Sequence, residues 1–315
     1  MATRNFKYVI VGTGLAGCHA VEGIRTLDAN EPILLLGNEP HHPYDRPPLT
    51  KKLWFGKKKV EEIFVHDASY YADQGVTVAV NTTVEDIDPA EKALICTDGT
   101  SYRYEKLLLA TGGIPRRLPI EGGRLDEVYY YRSLDDFLRL KSHVHPGVKA
   151  LVIGGGFIGS EMAAALAVNR AHVTLLIRGT YPCERVFPQA LAEHVYEDYV
   201  RRGVLLLTHD EPLAIRKRGT HLFTRTRRGR EIVSEVVIAG LGIEPETRLA
   251  RAAGLRVGEG IVVNEYLQTS ALDIYAAGDN AFFPYAALAR SMRVEHWDNA
   301  VNQGRSAGMN MAGAH

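Results

Sequence analysis

One pattern of apolar residues and glycines opens the chain. The apolar run 6–11 leads into Gly12-Thr13-Gly14-Leu15-Ala16-Gly17, residues 18–27 have helical spacing, and a second apolar run covers 32–36. Continuous apolar runs of this length are typical of strands buried on both faces of a parallel sheet. The pattern therefore predicts a strand–helix–strand unit.

The same order recurs in the second half. The run 149–153 leads into Gly154-Gly155-Gly156-Phe157-Ile158-Gly159, a helix is predicted from Ser160 to about Asn169, and residues 173–177 form the next strand. The two halves share little sequence identity, so what repeats is the order of strand, glycine motif, helix and strand.

Turn signals extend both halves. Two hairpins are predicted, 93–96 with 101–104 around Asp98-Gly99 and 221–226 with 231–238 around Arg228-Gly229. The first half then has the strand 106–110, and the glycine- and proline-rich stretch 112–123 marks a linker. A strand of mixed burial is predicted at 129–131, and Ser133, with Asp136 three residues later, predicts a capped helix start.

Composition fits two globular units without a membrane span. A length of 315 residues suggests two compact units, and 46% hydrophobic residues exclude a largely disordered chain. No apolar run reaches the roughly 18 residues of a membrane span, and residues 1–5 show no secretion signal, so a cytoplasmic protein is expected.

The charge balance and the histidine spacing give no support to a nucleic-acid-binding protein or a metalloprotein. The 37 basic and 37 acidic residues give a net charge of +0, which does not favour nucleic-acid binding. The basic hairpin 216–230 is interpreted as a solvated edge rather than a nucleic-acid patch. The 12 histidines show no metal-ligand spacing, so no metal site is predicted.

Both glycine motifs lie between a predicted strand and a predicted helix, the context that dinucleotide binding requires. The first glycine of each motif makes the tight turn, the second lets backbone N–H groups approach a pyrophosphate, and the third permits close helix–strand packing. The residues concerned are Gly12, Gly14 and Gly17 in the first motif and Gly154, Gly156 and Gly159 in the second. A purely structural turn is the alternative. Two such motifs indicate two dinucleotides, and FAD with a nicotinamide nucleotide is the usual pair.

More specific motifs carry a resemblance across nearly the whole chain. They are Pro43-Tyr44-Asp45-Arg46-Pro47-Pro48-Leu49-Thr50-Lys51, Leu109-Ala110-Thr111-Gly112-Gly113, residues 154–161, Tyr275-Ala276-Ala277-Gly278-Asp279 and Val294-Glu295-His296-Trp297-Asp298-Asn299-Ala300. With them the chain resembles the two-dinucleotide flavoprotein reductases, in the branch of oxygenase-coupled ferredoxin reductases, rubredoxin reductases and apoptosis-inducing factor.

The resemblance implies an FAD site around the first motif. Its further members would be Asn38, Glu39, Arg46, Lys51, Ala110, Thr111, Gly112, Gly278, Asp279, His296 and Trp297. Asn38 stands where the family has its ribose-binding carboxylate, with Glu39 beside it. Lys51 is implied at the flavin ring and Asp279 at the ribityl chain or pyrophosphate. For Trp297, a core aromatic is the alternative.

Three residues are implied in catalysis: Lys51, Glu161 and Phe157. In similar reductases the glutamate, here on the first turn of its helix, pairs with the lysine next to flavin N5. Such a pair can orient the nicotinamide amide and stabilise charge on reduced flavin. A structural salt bridge is the alternative for the pair. Phe157 is expected over the flavin, with helix-start packing as its alternative.

The cysteines bear on the route of the electrons. Cys18, Cys96 and Cys183 form no C-x-x-C or C-x4-C pattern, and residues 41–52, where related reductases place a redox cysteine, contain none. A thiol relay is therefore excluded, and electrons should leave the flavin for an external acceptor.

The second motif also bears on coenzyme choice. NAD-selective motifs carry an acid at the end of the next strand, whereas NADP-selective ones have an arginine nearby. Here Ile177 takes the acid position, followed by Arg178 and later Arg185. No carboxylate is expected to repel a 2′-phosphate, so NADPH should be preferred or at least accepted. The alternative is that Arg178 merely points to solvent. Gly240 is expected to complete this nicotinamide site.

The expected fold is α/β, with two doubly wound Rossmann-like domains. Residues 1–116 and 246–315 would bind FAD, and the inserted residues 117–245 would bind NAD(P). The expected reaction passes hydride from NAD(P)H to FAD and then electrons to a small iron–sulfur protein, a quinone or dioxygen. The alternative is a redox-responsive binding module like apoptosis-inducing factor.

A further feature of the branch concerns the C-terminal end. Its members usually continue into a third, interface-like domain that helps to cover the flavin and supports dimerisation. This chain ends at His315, soon after a helix expected to begin near Asn299. The usual C-terminal domain is therefore expected to be absent, and the oligomeric state stays open.

Overall fold

The computed structural model describes residues 4–315, which fold into two compact α/β units. The first unit contains the chain up to Asp45, Ile63–Ile114 and Pro245–His315, and the second contains Arg46–Glu62 and Pro115–Glu244. The segment 46–62, which lies inside the range expected to bind FAD, thus groups with the second unit.

The strands, in chain order, are β1 (Arg4–Val11), β2 (Ile33–Leu36), β3 (Val76–Ala79), β4 (Val84–Asp88), β5 (Ala93–Cys96), β6 (Ser101–Leu109), β7 (Gly113–Pro115), β8 (Val128–Tyr129), β9 (Lys149–Ile153), β10 (His172–Leu176), β11 (Leu205–Leu207), β12 (Pro212–Arg218), β13 (His221–Thr226), β14 (Glu231–Ser234), β15 (Val236–Ala239), β16 (Ile243–Pro245), β17 (Ile261–Val262), β18 (Ile274–Ala276), β19 (Ala281–Tyr285) and β20 (Arg290–Met292). The helices are α1 (Leu15–Leu27), α2 (Ala68–Asp73), α3 (Leu134–His143), α4 (Phe157–Val168), α5 (Gln189–Arg201), α6 (Arg248–Ala252) and α7 (Trp297–Met311). Short 3₁₀ turns cover Pro47–Thr50, Val60–Ile63 and Ala286–Leu288.

The first unit is built on a seven-stranded sheet in the order β3-β2-β1-β6-β5-β4, with β18 also paired to β6. Strands β1, β2, β3, β6 and β18 run parallel, and the hairpin around Gly99 adds β5 and β4 antiparallel. Helices α1 and α7 pack very closely, since a Cβ on Gly304 would lie 2.2 Å from the Ala16 carbonyl oxygen. The predicted hairpin and buried parallel strands of this half are confirmed, except that the strands predicted at 101–104 and 106–110 form one strand, β6.

The second unit has a parallel five-stranded sheet and a separate antiparallel one. The parallel order is β11-β10-β9-β15-β8, and β12, β13 and β14 form the antiparallel sheet. The capping box at Ser133 is present, because Ser133 Oγ accepts from the Asp136 N–H and the Asp136 carboxylate accepts from the Ser133 N–H.

Three local predictions for this half are corrected. The strand predicted at 231–238 is two strands, since β14 pairs with β13 whereas β15 joins the parallel sheet. Tyr129, Tyr130 and Tyr131 are all buried, because their hydroxyls find hydrogen-bond partners within the unit. Helix α4 begins at Phe157 rather than Ser160, which puts Glu161 on its second turn rather than its first.

Candidate functional site

The first glycine motif shapes the turn between β1 and α1. Gly12 has φ +125°, and a Cβ there would lie 2.1 Å from the Ala110 carbonyl oxygen. A Cβ on Gly17 would lie 1.9 Å from the Gly12 carbonyl oxygen, whereas one on Gly14 would meet nothing within 4 Å. No side chain caps α1 at Gly14. The space beside Gly14 is therefore open, and the uncapped N–H groups at the start of α1 are suited to a phosphate.

The second motif has nearly the same geometry between β9 and α4. Gly154 has φ +116°, and its Cβ would lie 2.3 Å from the Gly240 carbonyl oxygen. A Cβ on Gly159 would lie 1.9 Å from the Gly154 carbonyl oxygen, and one on Gly156 would again meet nothing within 4 Å. No side chain caps α4 at Gly156. Each unit thus carries a glycine turn whose geometry is suited to a phosphate, which we call its phosphate cradle.

Polar groups of the first unit are buried beside Gly278 and fit a bound dinucleotide. Gln303 Oε1 accepts from the Gly278 N–H at 2.9 Å, and Asn280 Nδ2 donates to Thr111 Oγ1 at 2.9 Å. Asn280 is fully buried, yet its Oδ1 and the Nε2 of Gln303 have no hydrogen-bond partner. Buried polar atoms without partners are costly in proteins, so these two atoms point to a polar ligand. Sequence reasoning had not selected Asn280 or Gln303.

The other residues expected at FAD lie in both units. In the first unit, Asn38 is exposed and Glu39 accepts from the Tyr44 hydroxyl. Gly112 has φ +66°, and the carbonyl of Asp279 accepts from Arg293. His296 caps α7, and the adjacent Trp297 is 52% exposed, so Trp297 is not a core aromatic. Arg46 lies in the second unit, where Nη1 donates to the Arg132 carbonyl.

Lys51 and Glu161 meet within the second unit. Lys51 Nζ lies 2.8 Å from Glu161 Oε1, and Thr50 Oγ1 donates to the other carboxylate oxygen at 2.5 Å. Both oxygens of Glu161 are therefore engaged, and its orientation is fixed. Thr50 is a further residue that sequence reasoning had not assigned a role.

Buried aromatics hold the segment that carries Lys51. The Tyr131 hydroxyl donates to the Leu49 carbonyl at 2.6 Å and accepts from Trp54 Nε1 at 3.1 Å. Trp54 is 3% exposed and packs edge-on against Phe137. These contacts explain why residues 46–62 belong to the second unit and why Tyr131 is buried.

Phe157, the first residue of α4, is 54% exposed. Its ring contacts the edge of Phe187 with centroids 6.1 Å apart. An exposed ring at the start of a helix is available to a ligand.

The thiols are unsuited to redox relay. All three cysteines are free and buried. Burial raises the pKa of Cys18 to about 12 and that of Cys96 to about 11, so both remain protonated at neutral pH. Cys183 Sγ lies 3.4 Å from Ser160 Oγ.

The end of β10 corrects one expectation about the coenzyme. Ile177 is 2% exposed, Arg178 and Arg185 are exposed, and Arg178 Nε lies 2.6 Å from Glu211 Oε2. A carboxylate is therefore present where none was expected, because the chain after β11 returns to the end of β10.

Within residues 4–315 no helix is long and apolar enough to cross a membrane.

Comparisons with known proteins agree with this geometry. The family profile described as pyridine nucleotide-disulphide oxidoreductase matches residues 6–304. The chain is 34% identical over 310 residues to the anthranilate 1,2-dioxygenase system ferredoxin–NAD(+) reductase component of Burkholderia cepacia, covering 98% of this chain and 76% of the relative. It is 33% identical to the rubredoxin–NAD(+) reductase of Pseudomonas putida, covering 97% and 80%.

A solved structure extends the likeness to three dimensions. The reductase fold in the covalent putidaredoxin reductase–putidaredoxin complex superposes with a TM-score of 0.92 at 33% identity, covering 99% of this chain and 76% of that one. The matched profile, the relatives and the two phosphate cradles together show that the chain belongs to the pyridine nucleotide-disulphide oxidoreductase family.

Proposed function

We propose that the chain is a flavoprotein reductase that takes hydride from NAD(P)H and delivers electrons to a small iron–sulfur protein. The glycine cradle and buried polar atoms of the first unit would hold FAD, and the cradle of the second unit would hold the nicotinamide coenzyme. FAD, when bound, supplies the conversion between a two-electron donor and a one-electron acceptor. The names of the relatives, which pair ferredoxin or rubredoxin with NAD, support this acceptor class.

The observation that carries the proposal is the Lys51–Glu161 pair. Glu161 holds the Lys51 ammonium at 2.8 Å, and Thr50 fixes the second carboxylate oxygen. Both residues lie in the unit of the second cradle, so the pair can orient the carboxamide of a nicotinamide bound there. A fixed positive charge can also stabilise negative charge that develops nearby during hydride transfer.

Anaerobic stopped-flow measurements test the assignment. Lys51→Ala should keep bound FAD but slow its reduction by NAD(P)H about 100-fold, because an oriented charge is lost at the reacting centre. Lys52→Ala removes the adjacent exposed lysine and serves as the matched control. Equal reduction rates for the wild type and Lys51→Ala would show that the pair is only a structural salt bridge.

The acceptor is tested separately by adding ferredoxin, rubredoxin, a quinone or dioxygen to the reduced protein. Rapid turnover with an iron–sulfur protein is expected. Slow turnover with every acceptor would favour the alternative of a redox-responsive binding module. We also propose a cytoplasmic location, because three free buried cysteines are typical of a reducing compartment.

A further inference from the structure

Two chain segments meet where the second unit should read the ribose of its coenzyme. In a glycine-motif unit, the residue at the end of the second strand reads the ribose 2′ position. Here that strand is β10, and Ile177 follows it with a buried side chain. The Asp210 N–H donates to the Ile177 carbonyl at 3.2 Å, so the segment after β11 lies beside this position.

Glu211, from this second segment, joins two arginines. Its Oε2 lies 2.6 Å from Arg178 Nε, and its Oε1 accepts from Arg227 Nε at 2.5 Å. The Glu211 side chain is only 20% exposed, whereas those of Arg178 and Arg227 are 80% and 67% exposed. The carboxylate is thus enclosed by the two guanidinium groups, and each contact uses Nε.

A buried aspartate fixes the backbone of this cluster. Asp210 has no exposed side-chain surface and accepts from the N–H groups of Glu211 and Arg228 and from Arg230 Nη1. The Arg227 N–H donates to the Glu211 carbonyl at 2.8 Å. The backbone of Arg227 is therefore held in place although the residue lies in a hairpin turn.

The charges decide what the cluster can bind. Two arginines and one carboxylate leave a net positive charge, and both Glu211 oxygens are already engaged by arginines. Glu211 is therefore poorly placed to accept ribose hydroxyls, as the acid of an NAD-selective motif does. Exposed guanidiniums held in a fixed direction are suited to a phosphate.

We propose that the side chains of Arg178 and Arg227 are the two arms of a clamp that binds the 2′-phosphate of NADPH, an inference that rests on the proposed function. The arms come from the end of β10 and from the β13–β14 turn. Glu211 is the positioning residue that holds both arms. Arg227 is the member that the glycine motif and the strand following it do not reveal.

Calorimetry on the FAD-loaded chain measures the affinity for two probes, adenosine 2′,5′-bisphosphate and adenosine 5′-monophosphate. The ratio of the two affinities reports recognition of the 2′-phosphate. The wild type should bind the bisphosphate at least about 10-fold more tightly. Arg227→Gln should lower that ratio about 10-fold and leave binding of the monophosphate unchanged. Arg225→Gln removes an exposed arginine two residues earlier in the same hairpin and should leave the ratio unchanged.

Glu211→Gln separates positioning from simple electrostatics. Release of both arms should lower the ratio, whereas a cluster acting only through net charge would show a higher ratio after loss of a carboxylate. The clamp would be overturned by a higher ratio in Glu211→Gln or by an unchanged ratio in Arg227→Gln. It would also be overturned by equal losses in Arg225→Gln and Arg227→Gln, or by a wild type that binds both probes equally. Flavin reduction by NADH in these proteins would leave the proposed function intact, whereas failure of both coenzymes in the wild type would refute that function.

Discussion

The two glycine motifs of this chain share one backbone geometry and differ in the side chains beyond it. Gly12 and Gly154 have φ values of +125° and +116°, and a Cβ on Gly17 or Gly159 would lie 1.9 Å from a carbonyl oxygen of its own motif. A pyrophosphate is common to FAD and the nicotinamide coenzymes. The shared backbone is therefore suited to the part that both ligands have in common.

The difference begins where the second strand of each unit ends. After β2 the chain has Asn38 and Glu39, and Glu39 accepts from the Tyr44 hydroxyl. After β10 it has Ile177 and Arg178, and the nearby carboxylate of Glu211 is bound by arginines. The first unit thus presents a carboxylate that accepts from a tyrosine hydroxyl, whereas the second presents a net positive cluster. Ligand identity is expected to be decided at this edge rather than in the glycine turn.

The largest expected effect comes from breaking one cradle at a time. Gly17→Ala should yield protein with little bound FAD, because its Cβ would force the start of α1 away from Gly12. Gly159→Ala should retain FAD but lose about 100-fold in affinity for NAD(P)H, for the same reason in the second unit. Flavin absorbance per chain and coenzyme titration measure the two outcomes.

Gly258→Ala provides the control for this pair, since its Cβ would make only an ordinary contact of 3.7 Å with Val262. Loss of FAD from Gly159→Ala with full retention by Gly17→Ala would reverse the assignment of the two units.

Much of this comparison could be predicted from local sequence, because buried strands and glycine turns have local signatures. The hairpin at Gly99 and the capped helix at Ser133 follow from short-range chemistry. The division between β14 and β15 could not be seen, since the apolar pattern continues through it while the hydrogen-bond partners change.

The missed site residues depend on tertiary contacts. Glu211 lies far along the chain from Arg178 but follows the apolar run of β11, which is parallel to β10. Because parallel strands end at the same edge of a sheet, that run was a usable signal for a carboxylate near Arg178. Asn280 and Gln303 gave no such signal, since they are singled out by the burial of their side chains, which the local sequence does not reveal.

An intermediate effect is expected when the arginine just after β10 is changed to a carboxylate, as is found after β2. Arg178→Glu would place a second carboxylate beside Glu211, and the pair should repel a 2′-phosphate. The ratio of kcat/KM values should shift toward NADH by at least about 10-fold. Steady-state assays with both coenzymes measure it, and Arg201→Glu, on the exposed face of α5, is the control. A wild type that strongly prefers NADH, with the same ratio in Arg178→Glu, would contradict the expectation.

The smallest effect concerns the helices that follow the two motifs. Glu22 on α1 accepts from Arg305 Nη2 at 2.7 Å and lies within 3.0 Å of ring nitrogens of His19 and His66. Ala164 takes the corresponding position of α4. Burial alone would raise the pKa of Glu22, but the hydrogen bonds from Arg305 and His66 and the nearby His19 ring lower it to about 2.

A carboxyl group with a lowered pKa in the folded state stabilises the protein above its unfolded pKa and loses that contribution as the pH falls toward the folded pKa. Glu22→Gln should therefore lower the free energy of unfolding of the first unit by about 1–2 kcal/mol near pH 6, after allowance for solvent screening. The difference from the wild type should shrink between about pH 4.5 and about pH 2. Denaturant unfolding followed by flavin fluorescence reports on the first unit, and Glu31→Gln, at an exposed carboxylate of the same unit, is the control. A difference that stays constant down to the lowest pH would show that the ionic contacts of Glu22 do not stabilise α1 against α7.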